Sequence, residues 1–238
     1  MNGLGNTFSL SGAALALAGC ASLWFGGWIA EPLPETWLLA GAAWVLVSAW
    51  MLLRGVAGWA RWPVALRWPL GLLALGLAWL AMAQARWMGP NFLLSVLVLV
   101  WAADVFAYFA GRAFGGRWFA VKLAPAISPG KTWEGVAGGM LGVLIVSLCW
   151  IQADRYFEFT ATSLHTRLWQ QGGWFWLAAL VFMTAMSVVG DLVESLIKRS
   201  AGVKDSSGLL PGHGGVLDRV DALLPTLPLA MMLVSWTS

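Results

Sequence analysis

Charged residues are scarce in this chain. Only 11% of its 238 residues are Asp, Glu, Lys or Arg, whereas 60% are hydrophobic, and the mean hydropathy is +0.76. A soluble domain of this length could not bury so much apolar surface, so the composition excludes that class and indicates an integral membrane protein. The small net charge of +3 is no sign of nucleic-acid binding.

Cysteine is equally scarce. The only two, Cys20 and Cys149, lie in apolar segments, without metal-ligand spacing or a disulfide framework. The N-terminal sequence M-N-G-L-G-N-T has no basic region ahead of the first apolar stretch. We therefore predict a retained first helix and not a cleaved signal peptide.

Long apolar stretches are abundant, and they define the fold class. Each is close to the ~20 residues that cross about 30 Å of hydrocarbon. They cover residues 8–30, 36–53, 67–85, 91–111, 135–152, 173–197 and 219–236. The sequence predicts an all-α polytopic helical bundle of about seven transmembrane helices, with Pro69, Pro225 and Pro228 tolerated inside helices. The glycines at 135, 138, 139 and 142 predict a close helix–helix contact.

The basic residues predict the orientation. With the N-terminus in the cytoplasm, eleven of the fourteen Lys and Arg residues fall in inside segments, and only Arg86, Arg155 and Arg167 fall outside. This is a strong positive-inside bias. It places the two long loops, 112–134 and 198–218, in the cytoplasm, where nucleotides are found.

The few charged residues concentrate in one Gly-rich segment from Ser195 to Asp221, which reads S-L-I-K-R-S-A-G-V-K-D-S-S-G-L-L-P-G-H-G-G-V-L-D-R-V-D. Cations beside carboxylates and flexible backbone are typical of phosphate handling through a divalent metal. The position at a membrane edge indicates that the phosphate belongs to a lipid or is being attached to one.

Helical spacing places several of these side chains together. Asp191, Glu194, Ser195 and Lys198 share one face of the sixth segment, and Asp218 and Asp221 share a face at the start of the seventh. Their carboxylates, with Asp205 in the loop, could converge on a cation such as Mg²⁺. Lys198, Arg199 and Lys204 would neutralise phosphate charge, and the P-G-H-G-G turn would bring backbone N–H groups to a phosphate. His213, flanked by glycines, is predicted to contact a ligand as base, donor or positioning group.

A second group of polar residues lies upstream. Asp104, Tyr108 and Arg112 recur every four residues, and S-P-G-K-T-W-E-G follows from Ser128. This G-K-T is not a P-loop, because Pro125 occupies the position of its first glycine. Lys131, Ser128 and Thr132 could still bind phosphate. Asp104 is either a partner of Arg112 or a deeper metal or substrate contact.

The two groups also share a spacing: Asp104 precedes Arg112 by eight residues, as Asp191 precedes Arg199. One hypothesis is that the fourth and fifth segments and the sixth and seventh form a parallel pseudo-repeat around one site. The plainer interpretation of all these charges is a set of snorkelling basic residues whose acids merely satisfy the arginines. Acids inside an apolar helix are costly, which favours a functional cluster.

The segment from Ser195 to Asp221 resembles the signature of the phosphatidate cytidylyltransferase (CDP-diacylglycerol synthase) family. W-A-A-D-V-F-A-Y-F-A-G-R from Trp101 and S-P-G-K-T-W-E-G from Ser128 also resemble segments of that family. The similarity covers about residue 90 onwards, so we divide the chain into N-terminal transmembrane helices, 1–90, and a catalytic transmembrane region, 91–238. Members commonly have a longer N-terminal hydrophobic part than this chain.

The resemblance implies a reaction in phospholipid biosynthesis: CTP and phosphatidic acid give CDP-diacylglycerol and pyrophosphate, with Mg²⁺ required. It implies catalytic roles for Asp218, Asp221, Lys204 and His213, and metal ligands at Asp218, Asp221, Asp205 and Asp191. Substrate binding falls to Lys131, Ser128, Thr132, Lys198, Arg199, Arg219, Gly214, Gly215 and Arg112. The family also suggests a homodimer, with membrane lipids and no nucleic acid as partners. We expect a bacterial inner membrane and an active site facing the cytoplasm.

Two rival functions remain open from the sequence. One is a cytidylyltransferase or kinase that acts on another lipid phosphate or lipid alcohol, since only the lipid-facing wall would differ. The other is an ion-coupled transporter, whose charges would lie near the bilayer midplane. The gathering of charges at one face disfavours the transporter.

Overall fold

The protein is a bundle of α-helices with no strand among the described residues, which are 6–212 and 214–235 of the computed structural model. The helices are α1 (Asn6–Phe25), α2 (Pro34–Ala60), α3 (Val64–Met88), α4 (Pro90–Phe114), α5 (Trp133–Phe157), α6 (Leu164–Gln170), α7 (Gly173–Ser200), α8 (Leu217–Val220) and α9 (Leu223–Ser235), and a short 3-10 turn covers Trp28–Ala30. The predicted all-α membrane fold is confirmed.

Five of these helices, α2, α3, α4, α5 and α7, are long and apolar enough to cross a membrane. The first predicted segment corresponds to α1, whose apolar part is Ser11–Phe25. The seventh corresponds to the short helices α8 and α9 instead of one continuous span. The count of about seven spans therefore stays a prediction.

Prolines are tolerated inside the helices, as predicted, and a glycine interrupts α2. Gly55 interrupts α2 with a φ of 65°, two residues after the end of the predicted segment. Pro69 lies inside α3 and Pro228 inside α9, and both helices continue through them. Neighbouring helices can satisfy the carbonyl groups that a proline leaves without a donor.

The glycine stripe of α5 packs directly on α4, as predicted. A Cβ atom at Gly139 would lie 2.8 Å from the carbonyl oxygen of Ala103, and one at Gly138 would lie 2.1 Å from Ala110 Cβ. Neither position has room for a side chain, so the two backbones approach closely. This contact fixes the start of α5 against the end of α4, where the upstream polar residues lie.

The last helix, α9, fills the centre of the bundle. It packs against α2, α3 and α7, and ten of its residues are buried, among them Leu227, Leu229 and Ala230. By contrast, α1 lies at the periphery, where Leu15 and Leu17 are 74% and 70% exposed. Helices α7 and α9 thus pack together in the buried core. The charged segment lies largely in the connection between them.

Candidate active site

A cavity of about 480 Å³ lies between the end of α4, the start of α5 and the end of α7. Its polar lining combines the two groups of residues that the sequence singled out: Asp104, Tyr108, Arg112, Lys131, Thr132 and Asp191. The end of α4, the residues before and within the start of α5, and α7 therefore meet at one site.

The contact that joins the two groups is an ion pair. Lys131 Nζ lies 2.6 Å from Asp191 Oδ2, with the two side chains 22% and 33% exposed. Ser195 Oγ donates to the other carboxylate oxygen of Asp191 at 3.3 Å. Because the pair is only partly buried, an incoming phosphate can still reach the ammonium group of Lys131.

Asp104 faces this cavity and is not the partner of Arg112. The Arg112 guanidinium instead donates to the Tyr108 hydroxyl at 3.0 Å. Asp104 lies near enough to Asp191 and Lys131 to interact with both electrostatically. Of the two alternatives left by the sequence, the structure thus places Asp104 on the cavity wall, within the electrostatic field of the ion pair.

A second ionic cluster lies one turn or two further along α7. Lys198 bridges two acids: it pairs with Glu194, which is buried, and its Nζ lies 2.5 Å from Asp218 Oδ1. The cluster links the end of α7 to α8. Glu194 therefore contributes to the site by forming a buried ion pair that fixes the position of the Lys198 ammonium group.

Asp218 is the organising residue of the loop before α8. Its Oδ2 accepts hydrogen bonds from Ser206 N at 2.9 Å, Ser206 Oγ at 2.7 Å and Gly215 N at 2.7 Å. Burial opposes ionisation of this carboxyl, but the donors Lys198, Ser206 and Gly215 outweigh it and hold the pKa of Asp218 well below its usual range. Asp218 is therefore a carboxylate at neutral pH.

The glycines of this loop make that arrangement sterically feasible. Gly214 has a φ of +79°, and a Cβ there would lie 2.9 Å from Asp218 Oδ2. At Gly215, a Cβ would lie 2.0 Å from Ser206 Oγ. Gly215 was predicted to offer its N–H to a phosphate, but in this structure the N–H donates to Asp218.

Asp221 lies in the connection between α8 and α9, outside the five long apolar helices. Its burial and the negative charge of Asp191 raise the pKa of Asp221 to about 7, with a further contribution from Asp104. Three acids from α4, α7 and this connection thus repel one another across the site. A cation would relieve that repulsion.

This donor set fits Mg²⁺ in its chemistry, because Mg²⁺ prefers oxygen ligands and often takes only one or two carboxylates beside substrate phosphates. Within residues 6–212 and 214–235, no group of three or more acidic, His or Cys side chains forms a metal site by itself. Of the predicted ligands, Asp191 lines the cavity and Asp221 interacts electrostatically with Asp191, and the metal assignments stay predictions.

The remaining predicted residues are placed less centrally. Arg199 is exposed, and its Nε donates to Ile127 O at 3.4 Å. Thr132 caps α5 by accepting from Gly135 N at 3.1 Å, and Ser128 lies in the turn before it. Lys204, Asp205 and Arg219 are exposed in or beside the α7–α8 loop, and His213 lies outside the described residues.

The sequence pattern of the cytidylyltransferase family matches residues 6–237. The chain belongs to the cytidylyltransferase family.

Several curated relatives in this family carry the name phosphatidate cytidylyltransferase. One from Pseudomonas aeruginosa is 41% identical over 202 residues, which cover 80% of this chain and 68% of the relative. One from Haemophilus influenzae is 49% identical over 140 residues, covering 59% of this chain and 44% of the relative. One from Brucella abortus is 39% identical over 192 residues, covering 79% and 60%. The chain therefore spans between about two fifths and two thirds of the length of these relatives, and the predicted resemblance is confirmed.

Sequence reasoning did not single out two residues that hold the loops beside the candidate site. Ser206, which donates twice to Asp218, sits in a K-D-S-S-G run with no distinctive pattern. Glu134 is 2% exposed, and its Oε1 accepts from Trp118 N and Phe119 N. Glu134 could have been singled out because it is an acidic residue in the first turn of an otherwise apolar helix.

Proposed function

We propose that the protein transfers the cytidylyl group of CTP to phosphatidic acid in the membrane, giving CDP-diacylglycerol and pyrophosphate. The observation that carries this proposal is the meeting of Lys131 and Asp191 on one cavity wall. It supports the proposal because α7 and two segments that resemble the family, 101–112 and 128–135, together supply one polar site at a membrane edge. The names of the relatives supply the substrate class.

The chemistry needs positioning and charge stabilisation more than a base. An oxygen of the phosphatidate phosphate, already anionic, attacks the α-phosphorus of CTP. The bond from the α-phosphorus to the oxygen bridging it to the β-phosphorus breaks, and pyrophosphate leaves with that electron pair. The protein must therefore hold two polyanions together and offset the charge of the leaving group.

The residues of the cavity suit these tasks. Lys131 can exchange its ion pair with Asp191 for a substrate phosphate, since both side chains are partly exposed. Lys198 is held by Glu194 and Asp218 and contributes positive charge at a fixed position. Asp191 and Asp221 would hold Mg²⁺, while Asp218 keeps Lys198 in place. When bound, Mg²⁺ would neutralise charge on the phosphates.

The membrane geometry completes the proposal. The cavity opens at the ends of α4 and α7, where the basic residues cluster, so the headgroup would meet CTP on the cytoplasmic side of a bacterial inner membrane. The acyl chains would remain in the bilayer beside the bundle. A homodimer stays a prediction.

The test is pyrophosphate release by the purified full chain in detergent with CTP, phosphatidic acid and Mg²⁺, and with each omitted in turn. We expect release only when all three are present, and its loss in Asp191→Asn. If pyrophosphate is released with a different lipid phosphate but not with phosphatidic acid, the other lipid phosphate is the substrate. No release with any lipid phosphate or lipid alcohol would contradict the proposal.

A further inference from the structure

The connection between α4 and α5 begins with exposed aromatic and aliphatic side chains at the same end of the bundle as the candidate active site. Within this segment, residues 114–122, the exposed fractions are 41% for Phe114, 68% for Trp118, 53% for Phe119 and 70% for Val121. All but Phe114 lie beyond the five long apolar helices. Apolar surface outside the spans calls for its own explanation.

The structure holds these rings in place. The backbone N–H groups of Trp118 and Phe119 donate to Glu134 Oε1 at 3.0 and 3.1 Å. The rings of Phe114 and Trp118 stack with centroids 5.4 Å apart and an interplanar angle of 13°. An anchored backbone therefore presents the aromatic surface outward.

The same segment is positively charged. It contains Arg117 and Lys122, and Arg112 lies two residues before it in α4, while no Asp or Glu occurs between Asp104 and Glu134. The Arg117 guanidinium lies 5.5 Å from the centre of the Phe114 ring. Glu134 is buried against the loop backbone, so its carboxylate is not part of this exposed surface. We call residues 114–122 the aromatic–basic loop.

We propose that the aromatic–basic loop lies in the headgroup region of the membrane and binds anionic phospholipid headgroups beside the cavity. Aromatic rings favour the membrane interface, and each basic residue favours an anionic over a zwitterionic surface by roughly fivefold. The next basic residues on either side of the loop, Arg112 and Lys131, line the cavity. The loop would thus enrich anionic lipid at the cavity entrance, a role that rests on the proposed function.

The loop's position can be measured independently of turnover. Cys20 and Cys149 are replaced by Ser, Val121→Cys is labelled with an environment-sensitive fluorophore, and the full chain is reconstituted into phosphatidylcholine vesicles with increasing phosphatidylglycerol. Quenching by a nitroxide lipid then reports contact with the headgroup region. Leu209→Cys is the matched control, since Leu209 is 71% exposed in the α7–α8 loop at the same end of the bundle.

We expect quenching at position 121 to rise with phosphatidylglycerol, and quenching at 209 to rise much less. Arg117→Gln and Lys122→Gln should each shift the phosphatidylglycerol fraction needed for half-maximal quenching upward by roughly fivefold. Arg117→Lys and Lys122→Arg, which keep the charge, should restore the original dependence. These variants also show whether the charge or the loop conformation is responsible.

Equal quenching at 121 with and without phosphatidylglycerol would overturn the proposal. So would a response that follows the protein-to-lipid ratio instead of lipid charge, because it would identify a second copy of the chain as the occupant. Pyrophosphate release is measured in the same vesicles. Its absence beside a normal quenching response refutes cytidylyl transfer alone, and normal release without that response refutes the loop assignment alone.

Discussion

At the scale of single residues, the site depends on acids held by specific donors. Lys131 and Asp191 form a partly exposed ion pair, whereas Lys198 and Asp218 are more deeply buried and are tied to Glu194, Ser206 and Gly215. The first pair can open to admit a ligand at modest cost. The second cluster is suited to fixing the loop.

Asp191→Asn tests the first pair. It leaves Lys131 without its counter-charge and removes a predicted metal ligand, so we expect pyrophosphate release to fall by about 100-fold or more. The swap Lys131→Asp with Asp191→Lys should restore thermal stability in detergent but not turnover. Recovery of turnover in the swap would show that the pair is only structural.

The buried His165 should make the free energy of unfolding depend on pH. Its side chain is fully buried in α6, and neither ring nitrogen has a well-formed hydrogen bond with the described residues. Burial lowers the pKa of His165 from 6.5 to about 4, partly opposed by the charge of Asp154. Below pH 6.5 the unfolded chain therefore takes up a proton that the folded chain excludes.

We expect the free energy of unfolding to decrease by about 3 kcal/mol as the pH falls from about 6.5 to about 4. Thermal unfolding in detergent across this range measures the effect. His165→Gln is the control, and it should flatten the pH dependence. An equally steep loss in that variant would assign the effect to other groups.

At the scale of helices, the α4–α5 contact supports the site. Gly139→Ala would place a Cβ 2.8 Å from the backbone oxygen of Ala103, and we expect it to destabilise the protein by about 1–3 kcal/mol. Gly76→Ala in α3 is the matched control, because a Cβ there meets nothing within 4 Å. Thermal unfolding of both variants compares them, and equal effects would contradict the steric argument.

The helices also show what a sequence can predict. Hydropathy located the five long helices, and the spacing of Gly135, Gly138, Gly139 and Gly142 predicted the α4–α5 contact, because both are local properties. The bonds from Ser206 and Gly215 to Asp218 depend on how a loop closes, which composition does not encode. The break between α8 and α9 was missed for a similar reason: the tertiary packing that sets it outweighs a continuous apolar pattern.

Both connections at the site contain one isolated antiparallel bridge, Ala124 with Ser128 and Leu210 with Gly214. Lys131 follows Asp104 by 27 residues, and Asp218 follows Asp191 by 27. These parallels agree with the pseudo-repeat hypothesis, which stays a prediction because the two helix pairs also differ: α5 is a long helix, whereas α8 and α9 are short.

At the scale of the whole molecule, the predicted site residues that the structure describes lie at one end of the bundle. The opposite end has a separate polar cluster, in which Asp154 accepts from Ser163 Oγ at 2.5 Å and Thr166 Oγ1 at 2.6 Å. The positive-inside bias predicts that the first end faces the cytoplasm. The two ends should therefore differ in chemical accessibility.

Single cysteines test this topology after Cys20 and Cys149 are replaced by Ser. We expect Thr160→Cys, in the α5–α6 connection, to react with a membrane-impermeant maleimide in intact cells. Leu209→Cys should react only after permeabilisation, because the α7–α8 loop would face the cytoplasm. Labelling of both positions from the same side would contradict the bundle arrangement.

The central position of α9 has a consequence for biosynthesis. This helix of 13 residues is about 20 Å long, and it packs among α2, α3 and α7. The ribosome synthesises α9 after all of those partners. The earlier helices must therefore insert into the bilayer before the helix that packs between them is present. Insertion of the long helices and assembly of the bundle are thus separate events, and a chain arrested before Leu223 should be inserted yet remain exposed to membrane quality-control proteases.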